Sequence, residues 1–241
     1  MSSNPIVDEM NNRLLSDMGP VYYETNLDHL DHLIVEPFNA FSSLAMSLSA
    51  VLIWVVLLKR NYNKHPFLAY VFTPLIFIGG IGSTLFHASR SSQFFLLMDW
   101  MPVLFLTIFL SLFYWYKIYS RWHFIVIMIF VILFARAIPA LFIKGSAAIN
   151  VSYFISGILI LIPLVVFMFN NHFQYWKYIA ISVLALLISL YFRYTDDFES
   201  LILPMGTHWL WHIFSGVGAW FLGLYIYRTT PNEKLRTITT N

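Results

Sequence analysis

Gly206-Thr-His-Trp-Leu-Trp-His-Ile-Phe-Ser215 opens the last long apolar stretch of the chain. His208 and His212 stand four residues apart. On a helix this spacing stacks both imidazoles on one face, one turn apart. A polar pair on a helix otherwise suited to lipid is costly unless it finds partners. A metal ion is the natural partner, because neutral imidazole ligates zinc well. The pair is not the His-Glu-x-x-His motif of zinc proteases: position 209 is Trp, so a catalytic base has to come from elsewhere in the chain. Haem fits less well, since two histidines on one helix face do not supply opposite axial ligands.

The rest of the chain sets this stretch in a membrane. Of the 241 residues, 59% are hydrophobic and 11% charged, against roughly 25% charged in a soluble domain. Mean hydropathy is +0.70. Seven apolar segments, at about 38–58, 66–88, 94–116, 122–143, 148–169, 177–194 and 206–227, each approach the ~20 residues that cross a bilayer as a helix. The expected fold is all-α, a seven-helix transmembrane bundle over 37–228. Short connections should pack neighbouring helices antiparallel. A polar acidic segment (1–36) precedes it, with no apolar h-region and hence no expected cleavable signal peptide; a polar tail (229–241) follows. The absence of cysteine excludes disulfides and thiolate sites. No phosphate-binding loop or nucleic-acid signature is present.

Charge sets the expected orientation. Lys59, Arg60, Lys64, Lys117, Arg121, Lys177, Arg228, Lys234 and Arg236 fall on one side, and Arg13, Arg90, Lys144 and Arg193 on the other, with Arg136 inside the fourth segment. The positive-inside rule then places the carboxyl terminus in the cytoplasm and the amino terminus outside. A bacterial inner membrane suits the short loops; endoplasmic reticulum or Golgi stays open.

The ionisable residues within the segments cluster by depth. His87 ends the second segment, Asp99 begins the third, and His208 and His212 begin the seventh, all on the amino-terminal side of the membrane. Three imidazoles suit a catalytic zinc with an open fourth position. Ser83 lies one turn before His87, and Asp99 is placed to exchange protons with a zinc-activated water. Trp211, beside His212, is a candidate wall of a substrate pocket.

Ser83-x3-His87, Asp99 and His208-x3-His212, in this order on helices two, three and seven, resemble the alkaline ceramidase family. That family belongs to a superfamily of seven-helix membrane hydrolases with the adiponectin receptors and the Per1 lipid-remodelling proteins. The resemblance implies zinc on His87, His208 and His212, with Ser83 steadying the reacting oxygen and Asp99 shuttling protons. It also implies hydrolysis of the amide of a ceramide-like lipid drawn from the bilayer, releasing a fatty acid and a long-chain amine. Alkaline ceramidases further carry calcium in an Asp-Trp-x-Glu-x-Asn run followed by a Glu before the first helix. Here Glu24, Asn26 and Glu36 match and Val21 replaces the leading Asp, with Asp28 or Asp31 as substitutes. Calcium is therefore a second expected ion, through oxygen ligands. Two other readings stay open: a receptor or channel-like protein with structural zinc, and a zinc-dependent esterase or phospholipase.

Overall fold

The computed structural model describes residues 17–25, 33–143, 146–196 and 203–230. Seven helices in it are long and apolar enough to cross a membrane. They are α1 (Pro37–Leu58), α2 (Leu68–Ser89), α3 (Gln93–Tyr119), α4 (Trp122–Phe142), α5 (Ser146–Asn170), α6 (Trp176–Thr195) and α7 (His208–Thr229). The chain is thus an all-α, multi-pass membrane bundle. Its outer face carries the large apolar side chains that lipid requires, among them Phe130, Leu141, Phe154 and Leu184. The side chain of Arg136 lies outside the described set.

Packing follows residue size. α7 lies between α6 and α1, α1 against α2, and α2 against α3. Small residues line these contacts, because lipid gives apolar helices no hydrophobic reason to associate and close approach must supply the attraction. A Cβ on Gly216 would stand 2.7 Å from the Ala45 carbonyl oxygen, and one on Gly82 would collide with the Met98 backbone. The second contact is consequential: it draws Ser83, next to Gly82, towards Asp99, next to Met98.

One expectation from loop length fails. Consecutive helices were expected to pack as neighbours, yet α5 takes its main packing from α3, not from α6. The two diverge around an apolar groove of about 190 Å³, bounded by Gly157, Leu161, Leu186 and Leu190. A Cβ at Gly157 would touch nothing within 4 Å. α4 is the most peripheral helix, packed mainly on α3 and α5.

These glycines make a direct test. Gly82→Ala forces two backbones apart and should cost about 1–3 kcal/mol, as overpacking does. Gly157→Ala fills open space and should be neutral or gain roughly 0.5–1 kcal/mol from helix propensity. Thermal unfolding in detergent measures both; equal effects of the two substitutions would contradict the packing described.

Candidate metal centre

His208 owes its position to the turn before it. Gly206 takes φ +73°, a left-handed conformation that costs glycine nothing. The chain then enters α7 under the Asp196 carboxylate: Oδ1 accepts from the Thr207 and His208 N–H groups, both at 2.8 Å. These are donors a helix start cannot satisfy internally, and the negative charge suits the positive end of the helix. Thr207 donates to the Phe192 carbonyl at 2.7 Å, tying the same turn to α6.

His212 follows one turn later, and His87 meets the pair from the last turns of α2. Ring centroids lie 4.7 Å apart for His208–His212, 5.0 Å for His87–His212 and 5.4 Å for His87–His208. One nitrogen from each residue lies within 4.8 Å of the others, and all three residues are buried. His87 Nε2, His208 Nδ1 and both ring nitrogens of His212 are buried without a partner. Buried polar atoms are normally paired, and each orphan costs roughly 1–3 kcal/mol. Several orphans converging on one point fit a metal ion, and three neutral imidazoles suit zinc with one position left open.

The remaining nitrogen of His87 is occupied. Nδ1 meets Glu36 Oε2 at 2.5 Å, which turns Nε2 towards the other histidines, as carboxylates behind metal-binding histidines do. Glu36 Oε1 accepts from Thr25 Oγ1 and from Arg90 Nη1. Arg90 Nε donates to Asp17 Oδ2 at 2.8 Å. Asp17, Glu36 and Arg90 are fully buried. Burial alone would push the Glu36 carboxyl up. Its hydrogen bond with His87, the Arg90 guanidinium and the Thr25 hydroxyl outweigh that and hold it below the usual carboxylate range.

Two of the three residues expected to hold calcium, Glu24 and Glu36, lie among the described residues, and both are engaged by protein donors. Glu24 spends both carboxylate oxygens on the start of α1, accepting from the Phe38 N–H at 2.7 Å and the Asn39 N–H at 2.8 Å. Burial pushes its carboxyl up to about 7 against those two donors. Glu36 is committed to His87, Arg90 and Thr25. Val21 is exposed, and Asn26, Asp28 and Asp31 lie outside the described residues. The Arg90 guanidinium supplies positive charge to Glu36.

A cavity of about 330 Å³ opens beside the histidines, lined by Asp99, Tyr153, Arg193, His208, Trp211 and His212 among others. Asp99 comes to the Ser83 hydroxyl across the α2–α3 contact. Ser83 Oγ lies 3.0 Å from Ser43 Oγ, and Ser43 donates to the Asn39 carbonyl at 2.7 Å. Trp211 lines the cavity as expected, with the Tyr153 ring edge-on at 5.0 Å. Tyr22, from the amino-terminal arm, lies over His208 with ring centroids 3.9 Å apart. The arm is pinned there by the Tyr23 N–H, which donates to Asp196 at 3.1 Å, and by Asp17 on Arg90.

Sequence reading missed Tyr22, Ser43, Arg90, Asp196 and Arg193, and gave Glu36 a different partner. Glu36 and His87 are 51 positions apart, and no local pattern marks such a pair. The one available signal was Glu36 itself, an acid directly before an apolar segment. No family model matches the chain, and no curated protein matches it.

The purified protein should carry about one zinc per chain, and elemental analysis should show its loss in His87→Ala and His212→Ala. Glu36→Gln should weaken zinc binding by about 10–100-fold, as losing a carboxylate behind a ligand does. Wild-type zinc content in all three would contradict the assignment. On the calcium reading, added calcium should raise the thermal midpoint of the wild type, and the rise should vanish in Glu24→Ala plus Glu36→Ala; no calcium response in the wild type would refute that reading.

Proposed function

We propose that the chain is a zinc-dependent hydrolase of lipid amides, ceramidase-like, acting on ceramide or a related N-acyl lipid. The observation that carries this reading is the meeting of three buried imidazoles, each with at least one ring nitrogen left without a partner, with the Asp99 carboxylate at the cavity wall and the Ser83 hydroxyl beside it. A purely structural metal asks for a closed ligand shell and gains nothing from an acid at a cavity wall. His87, His208 and His212 would hold the ion, which when bound supplies Lewis acidity, polarising a carbonyl and easing deprotonation of water.

The chain's own residues do the rest. Asp99 takes the proton of the attacking water as its oxygen bonds to the amide carbon. It returns a proton to the nitrogen as the carbon–nitrogen bond breaks, so the products are a fatty acid and an amine. Ser83, positioned by Ser43, offers a hydrogen bond to the reacting oxygen. Glu36 keeps His87 in the tautomer that presents Nε2. Tyr22 covers His208 and limits water there. Tyr153 borders both the cavity and the α5–α6 groove, so an acyl chain lying in the groove brings its carbonyl end to the histidines. In this reading the amino terminus lies outside and the carboxyl terminus in the cytoplasm, on the charge distribution of the loops.

Asp99→Asn preserves shape and should keep zinc, yet lose about 10² or more in amide hydrolysis, typical for a general acid–base group. Ser83→Ala should cost about tenfold, the value of one hydrogen bond of roughly 1–1.5 kcal/mol. Lipid mass spectrometry with and without chelator provides the readout. Zinc-loaded wild type that leaves ceramides, other N-acyl lipids and glycerolipid esters intact would refute the enzyme reading. Reporter fusions at Asn241 and within Lys59–Lys64 should both report cytoplasm; an outside signal from either would reverse the orientation.

A further inference from the structure

Two arginines lie beside the metal centre, and the fold treats them oppositely. Arg90 is fully buried and lies between two carboxylates, Asp17 and Glu36. Arg193, in the last turn of α6, forms no ion pair within 4 Å among the described residues. Tyr22 shares a side-chain hydrogen bond with the guanidinium, and Tyr153 and Asp99 are further polar neighbours, the acid beyond ion-pair distance. Its Nε is buried and has no hydrogen-bond partner. The guanidinium lies over the Tyr153 ring at 4.9 Å and the Trp211 ring at 5.3 Å. These contacts hold the cation at the wall of the cavity that contains Asp99, His208 and His212.

A cation at this depth is expensive without a counter-charge. Aromatic faces supply only part of one. With a divalent ion on the histidines, and with Glu36 committed to Arg90, the cavity carries more positive than negative charge. A planar fork of N–H donors is the group that best matches a carboxylate, phosphate or sulfonate. The apolar α5–α6 groove takes the acyl chain, so the charged group belongs to the other half of the lipid.

We infer that Arg193 is a recognition site for an anionic group on the amine half of the substrate, which makes an N-acyl lipid with a carboxylate, phosphate or sulfonate headgroup the preferred substrate class. The inference rests on the amide-hydrolase reading for its chemistry but has a binding test of its own.

The test uses zinc-loaded full-length protein in nanodiscs and three lipids with one acyl chain: N-oleoylglycine, N-oleoyltaurine and N-oleoylethanolamine. The first two carry a carboxylate and a sulfonate; the third is neutral. Wild type should favour the anionic pair in kcat/KM by about tenfold or more, the worth of a charge-assisted contact. Arg193→Gln should erase that preference, lowering kcat/KM for the anionic pair by about tenfold or more relative to the neutral lipid, and Arg193→Lys should keep part of it. Glycine against taurine substrate then ranks carboxylate against sulfonate.

Equilibrium binding of the same lipids to Asp99→Asn protein, with and without Arg193→Gln, separates the two ideas. Arg193-dependent binding of anionic lipid, with no hydrolysis by the wild type, would uphold the anion site and refute the hydrolase. Hydrolysis with no anionic preference, or an Arg193→Gln defect equal on all three lipids, would overturn the anion site and leave the hydrolase standing. An effect of Arg193→Gln confined to inhibition by free oleate would also overturn it, since the arginine would then hold the product.

Discussion

The contact between Glu36 and His87 is the constraint on which the polar interior depends. A carboxylate with no exposed surface survives in this bundle because an imidazole, a guanidinium and a hydroxyl all donate to it. Each of those donors belongs to a different part of the chain. His87 brings α2 and the metal centre, Arg90 brings the turn after α2 and with it Asp17, and Thr25 brings the amino-terminal arm. Removing the carboxylate would leave an arginine half-paired and an imidazole free to turn. In a low-dielectric interior, breaking a buried pair costs more than the pair itself contributes.

The amino-terminal arm gains a defined place from the same logic. Acidic side chains fasten it: Asp17 to Arg90, Glu24 to the open backbone donors of α1, and Asp196 to the Tyr23 N–H. What these attachments position is Tyr22, whose ring covers His208. The described part of the arm therefore lies over the three-histidine cluster. Arg90, which takes the left-handed backbone conformation at the end of α2, anchors it through Asp17.

Much of the architecture was legible without coordinates. Seven apolar runs of spanning length have one solution in lipid, because every backbone N–H must be satisfied within its own segment. Segment parity then put His87, Asp99, His208 and His212 at one level, and the fold brings the three imidazoles together beside the cavity that Asp99 lines. One departure had a physical cause that loop length does not encode. α5 settles on α3, opening a groove beside α6, since helix partners in a membrane are chosen by surface shape. The protein donors that engage Glu24 and Glu36, backbone N–H groups for one and His87, Arg90 and Thr25 for the other, were not legible either.

The chain by itself determined the spans, the ligand-bearing face of α7 and the depth of each ionisable residue, because these follow from periods and lengths along one helix at a time. Only the tertiary structure decided which carboxylate holds which cation. Glu36 has His87 and Arg90, Arg90 has Asp17, and Arg193 has two aromatic rings and no carboxylate within ion-pair reach among the described residues. Those pairings join residues dozens of positions apart. They are fixed by how closely small residues such as Gly82 and Gly216 let the helices approach, a distance that composition and periodicity do not contain.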